Sequence, residues 1–192
     1  PNTGPHQSIS AIVQVVSGPG IVAERPMYFN FQGIMSGTDV IGATTPETAY
    51  YFPEADTRQN GRSYYTYITM LNPSSTHTAT ATATFYTGSC GQTGQAACPT
   101  QVVSVLPLHR GTIAPPPNTQ TAISVISNLP MVMERPMYFK DTIPNAGGLT
   151  TGAASEVGAT KPGNDWLFAE GYTGPDFQEY FVLSNFSSTS TT

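Results

Sequence analysis

Val22-Ala23-Glu24-Arg25-Pro26-Met27-Tyr28-Phe29 returns as Val132-Met133-Glu134-Arg135-Pro136-Met137-Tyr138-Phe139, offset by 110 residues and identical over the last six. Such a match in a chain with only 10% charged residues is internal repetition, not chance. Two further pairs keep the same order. Gly42-Ala43-Thr44 and Tyr51-Phe52-Pro53-Glu54 match Gly158-Ala159-Thr160 and Leu167-Phe168-Ala169-Glu170 at an offset of 116. Tyr67-Ile68-Thr69-Met70-Leu71-Asn72 matches Tyr180-Phe181-Val182-Leu183-Ser184-Asn185 at 113. A drift of a few residues is what loop insertions between fixed strands produce.

Residues 42–158 hold one complete period. Residues 1–41 read as the C-terminal part of a preceding β-sandwich repeat and residues 159–192 as the N-terminal part of the next. What the partial copies lack corresponds to about residues 79–113. No initiator Met and no basic-then-apolar leader opens the sequence, so a processed form or a segment of a longer chain is expected.

The local patterns are those of strands. Thr78-Ala79-Thr80-Ala81-Thr82-Ala83-Thr84-Phe85 alternates strictly with period two. Residues 8–16, 101–108 and 123–127 are β-branched runs, and Thr66, Ile68 and Met70 alternate as do Glu179, Phe181 and Leu183. The 18 Gly and 17 Pro punctuate these runs and argue against long helices. Pro115-Pro116-Pro117 cannot lie in a central strand and reads as a crossover between two sheets. The expected fold is all-β, an immunoglobulin-like β-sandwich with one complete repeat between two partial ones.

Composition narrows the function. The apolar fraction of 39% is enough for a core, while charge is far below the roughly 25% of an average soluble chain. The net charge of −5, with Lys140 and Lys161 the only lysines, gives no basic patch to neutralise phosphates, so no nucleic-acid partner is expected. No apolar run approaches the roughly 18 residues of a membrane span. Cys90 and Cys98 have neither the spacing of a redox CxxC pair nor the histidines of a zinc site, and the turn-rich stretch between them favours a disulfide. A disulfide and a low-charge surface together point outside the cell.

Trp166-Leu167-Phe168-Ala169-Glu170-Gly171-Tyr172-Thr173, the aromatic run 177–185 and the Glu-Arg-Pro-Met-Tyr-Phe motif resemble secreted tandem β-sandwich repeats of bacterial cell-surface proteins. The resemblance covers nearly the whole chain in two registers. It implies a surface location and a structural or adhesive role, but no activity. The complete copy departs from the pattern, with Pro53 for Ala and Ala55 for Gly, so a different turn is expected there.

Arg25 and Arg135, with Glu54 and Glu170, are charges kept in both copies. Arg135 is expected to pair with Glu54 inside the complete repeat, and Arg25 with Glu170 of a neighbouring subunit. Thr78, Thr80, Thr82 and Thr84, facing away from the alanines, are candidates for O-glycosylation, as are Ser187, Ser188 and Thr189 of the Ser/Thr-rich tail that ends at Thr192. Asn185-Phe186-Ser187 is a permissible N-glycosylation sequon, whereas Asn72-Pro73-Ser74 has Pro in the excluded position. His6, His77 and His109 are scattered, the carboxylates sit singly, and no nucleophile elbow, zinc helix or phosphate loop is present. No catalytic residue, metal or cofactor is expected.

Half a sandwich leaves strand edges and core side chains open, which soluble monomers avoid. The expectation is therefore a structural subunit of an extracellular filament or surface layer. It would assemble head to tail with copies of itself by complementation of incomplete domains, and would carry covalent glycans. The alternative is an adhesin repeat binding carbohydrate or a surface, for which an exposed aromatic platform is needed. Trp166, at the repeat position of Tyr50, reads instead as packing.

Overall fold

The computed structural model describes residues 7–92, 94–143 and 148–191. Its strands are β1 (Met27–Phe31), β2 (Ile34–Thr38), β3 (Glu47–Asp56), β4 (Ser63–Thr66), β5 (Ile68–Leu71), β6 (Ala79–Tyr86), β7 (Thr100–Val105), β8 (Arg110–Ile113), β9 (Gln120–Ile143) and β10 (Gly148–Val157). No helix forms among the described residues, so the chain is all-β.

Everything is organised on β9, a strand of 24 residues. Its first half pairs antiparallel with β6 and β3, and β7 extends that layer beyond β6. Its second half pairs with β4, β5 and β10, and β8 extends that layer beyond β5. A bridge between Tyr51 of β3 and Ala159, just past β10, brings the sheet close to barrel-like closure. Pro115–Pro117 lie on the connection from β8, in the second layer, to the start of β9 in the first, the crossover their lack of an N–H requires.

The core follows the alternation. Ala79, Ala81, Ala83 and Phe85 of β6 are buried, and the small alanines let Tyr50, Phe52, Ile123, Val125, Ile68, Met70, Met131 and Met133 close over them. Three of the largest of these, Tyr50, Phe52 and Met133, are fully enclosed. Deleting the ring of a side chain so placed costs about 3–5 kcal/mol. Cys90 and Cys98 form a disulfide across the β6–β7 loop, with Cα atoms 4.8 Å apart; Thr93, within that loop, lies outside the described residues. In the chain-entropy picture so short a closure stabilises by about 2–3 kcal/mol.

Two expectations are corrected. Residues 8–16 and the run Glu179, Phe181, Leu183 form no strand, and both segments are largely exposed. A strand needs a partner, and no described strand pairs with either segment. Pro53 and Ala55 make no turn either. They lie within β3, where a register irregularity between Phe52 and Ala55 absorbs the proline, and Ala55 is fully buried.

Candidate assembly surface

The N-terminal flank ends in a hairpin. Gln32 and Gly33 between β1 and β2 have φ of 53° and 75°, the double positive φ of a type I′ turn. This hairpin repeats the β9–β10 hairpin pair for pair. Met27 faces Thr38, Tyr28 faces Gly37 and Phe29 faces Ser36; Met137 faces Ala154, Tyr138 faces Ala153 and Phe139 faces Gly152. One strand is displaced by 110 in sequence and the other by 116 throughout, the two offsets of the sequence repeat. The correspondence continues beyond the strands. Glu24 bridges Ile41 as Glu134 pairs with Val157, and the Gly42 amide donates to the Ala23 carbonyl (3.0 Å) as the Gly158 amide does to Met133 (3.3 Å).

The smaller hairpin docks on the larger. Phe29 meets Tyr138 edge to face at 4.9 Å, Phe31 meets Tyr65 at 5.4 Å, and Ile34 is completely buried. Burial raises the pKa of the Tyr138 phenol above its ordinary value. Burial also raises Tyr50, whose hydroxyl donates to the Met131 carbonyl at 2.9 Å. Tyr64 is raised further, by burial and by its hydrogen bond to Asp141.

Outside the hairpin the two flanks are open. Tyr50, Phe52, Ile68 and Met70 are core, and so are Ile123, Val125 and Met131. Their repeat counterparts are Trp166, Phe168, Phe181 and Leu183 on the C-terminal flank, and Val13, Val15 and Ile21 on the N-terminal flank. All seven counterparts are between 43% and 86% exposed. Phe168 and Phe181 do touch, with ring centroids 5.5 Å apart, as though the first contact of a core had formed without its lid. The C-terminal flank is tethered where it ends: Ser184 donates to the Pro53 carbonyl, and Phe186 packs on Tyr51 and Tyr86.

The retained charges pair differently from expectation. Arg135, almost wholly buried, donates to Glu156 across the β9–β10 hairpin (Nη2 to Oε1, 2.8 Å), not to Glu54. Glu54 lies on β3 opposite the first half of β9, whereas Arg135 lies on the second half, in the other layer. Arg25 pairs with Glu134 of the same chain at 2.9 Å and is half exposed. Glu170 is exposed and takes part in no ion pair among the described residues. Sequence reasoning missed the Asp56–Arg58 pair, in which a buried carboxylate accepts both Nε and Nη2 of Arg58 and raises that guanidinium's pKa. Asp56 and Arg58 fall outside the repeated motifs, so repetition could not flag them.

Of the glycosylation candidates, Thr80, Thr82 and Thr84 are half-buried within β6, between β7 and β9, while Thr78, just before the strand, is exposed. Ser187, Ser188 and Thr189 are exposed. The Asn185 side chain closes a local turn, accepting from the Ser187 amide and donating to the Thr189 carbonyl. Thr192 and His6 lie outside the described residues; His77 and His109 are exposed and far apart in sequence. No helix among the described residues is long and apolar enough to cross a membrane.

No family model matches the chain, and no curated protein does. Among solved structures it is similar to that of Thermotoga maritima 1070, with a TM-score of 0.44 and 16% identity over 62% of this chain and 98% of that one. It is also similar to the Anabaena sensory rhodopsin transducer, with a TM-score of 0.37 and 15% identity over 49% of this chain and 91% of that one. Likenesses at this level leave the functional reading to the residues themselves.

Proposed function

We propose that this chain is a non-enzymatic structural subunit of an extracellular bacterial filament or surface layer, joined head to tail to further copies of itself. In this reading the repeats are immunoglobulin-like sandwiches. The C-terminal flank of one copy and the N-terminal flank of the next complete one another, and exposed Ser and Thr of the tail carry glycans. One observation supports it above the rest: positions buried in the middle copy are open to solvent in both flanks. Burying seven such side chains would gain about 1.5–3 kcal/mol each. The faces brought together differ on the two partners, so the contact is heterologous and propagates unless it closes into a ring. The Cys90–Cys98 disulfide fits an oxidising compartment.

The test is negative-stain microscopy of the native protein beside a denaturing gel. Uniform fibres or sheets that dissociate to a band at or somewhat above 20.4 kDa are expected. Monodisperse particles would remove the reading, and a far larger covalent band would assign the repeats to a tandem polypeptide.

A further inference from the structure

Resting on that head-to-tail reading, we propose the seat of the joint: Phe168 of one copy lies over Gly42 of the next, with Trp166 buried beside it against Val15 and Ile21. The argument begins at Gly158. Its φ is not left-handed, so backbone conformation does not call for glycine. Space does, because a Cβ built there would fall 2.5 Å from Cζ of Phe52. Gly42 is the repeat counterpart of Gly158 and is held by the counterpart hydrogen bond to Ala23. Its φ is not left-handed either, and a Cβ on it would meet nothing closer than the Ala23 carbonyl at 3.5 Å. Nothing among the described residues calls for glycine at that position. The ring that would call for it is Phe168, the counterpart of Phe52, which is open to solvent.

A second pair of groups fits the same register. Tyr50 pairs with Val125 across the β3–β9 ladder, and its hydroxyl donates to the Met131 carbonyl. The counterparts are Trp166, Val15 and Ile21, each of them exposed. Replacing Tyr by Trp keeps an apolar body with a donor at its edge, which is what a buried aromatic facing a carbonyl needs. Among the described residues that indole donates to the nearby Gly163 carbonyl, at 3.2 Å. By the same register the Tyr51–Ala159 bridge becomes a bridge from Leu167 to Ala43 of the next copy.

The test uses the 192-residue chain and its single tryptophan. Sedimentation velocity and tryptophan emission are followed together over a range of concentration. Association accompanied by a blue shift is expected. Gly42→Val, which fills the seat, and Phe168→Ala, which removes the ring, should each keep the parent circular dichroism and melting midpoint yet lose both association and shift. Mixed one to one, they retain one sound joint between them and should stop at heterodimers. Association and blue shift undiminished in Gly42→Val would overturn the seat while leaving the filament standing. A parent that stays monomeric with exposed tryptophan at every concentration would overturn both. A concentration-independent blue shift in a monomer would mean that the chain closes on itself, and would overturn the second copy as occupant.

Discussion

The two hairpins of this molecule share a sequence motif and a register but not a setting. In the β9–β10 hairpin the strand leading in is already locked between β3 and β6, so Ile123, Val125, Met131 and Met133, ahead of the Glu-Arg-Pro motif, are core. In the β1–β2 hairpin the corresponding lead, residues 9–22, pairs with no described strand and stays open. The hairpin itself forms in both cases, because its turn and its cross-strand pairs are local. The strand before it does not, because its pairing is with strands distant in sequence. Local information is thus sufficient for the hairpin and insufficient for the layer.

The largest contrast should come from one ring in its two settings. Phe52→Ala should destabilise the domain by about 3–5 kcal/mol, whereas Phe168→Ala should leave the unfolding midpoint of the unassociated chain within about 0.5 kcal/mol. Equal losses in chemical denaturation would break the comparison. Next come the two ion pairs. Glu156→Gln removes the charge that balances a buried Arg135, for a loss of about 1–3 kcal/mol. Glu134→Gln releases only the half-exposed Arg25, and should cost less than about 1 kcal/mol. A double-mutant cycle through each arginine separates pairing from packing.

The two glycines follow. Gly158→Ala pushes against the Phe52 ring and should cost about 1–3 kcal/mol, while Gly42→Ala should be close to neutral in the unassociated chain. The smallest effect is in alkali. Tyr50, Tyr64 and Tyr138 all have pKa values raised by burial, so the folded chain holds protons that the unfolded chain releases near pH 10. Their contribution is complete below that pH and is lost as pH climbs toward the folded values. Stability measured from pH 9 upward should fall, and less steeply in Tyr138→Phe, which removes the phenol lying between the two hairpins.

Much of the fold was legible. The Thr-Ala alternation named both the strand and its buried face, the triple proline named a crossover, and the cysteine spacing named a disulfide. The continuity of β9 was not legible, because the β-branched run read there covers only residues 123–127 of a strand that extends through Pro130 and Pro136. The strand passes through them because neighbouring ladder bonds hold each side; the Pro136 carbonyl, for one, accepts from the Tyr67 amide. The arginine partner was misread for a related reason. Repetition picked out Arg135 and Glu54, but the acid that pairs with Arg135 is Glu156, whose counterpart in the other copy is Val40, so the pair exists in one copy only. What a repeat preserves is the frame, and the charges set upon it can differ from copy to copy.

The points where the chain enters and leaves its folded units bear on how it would carry tension. The β1–β2 loop is shut by the Arg25-to-Val40 and Gly42-to-Ala23 hydrogen bonds, and the long excursion from Tyr51 to Ala159 by the two bonds between those residues. In each antiparallel closure the incoming and outgoing segments lie at the same end of the pair. A pull on the flanks therefore peels the closing bonds one at a time instead of shearing many at once. The chain thus holds two clasped loops in series, and between them the pairs that Glu47, Ala49 and Tyr50 make with β9 also stand in the line of load.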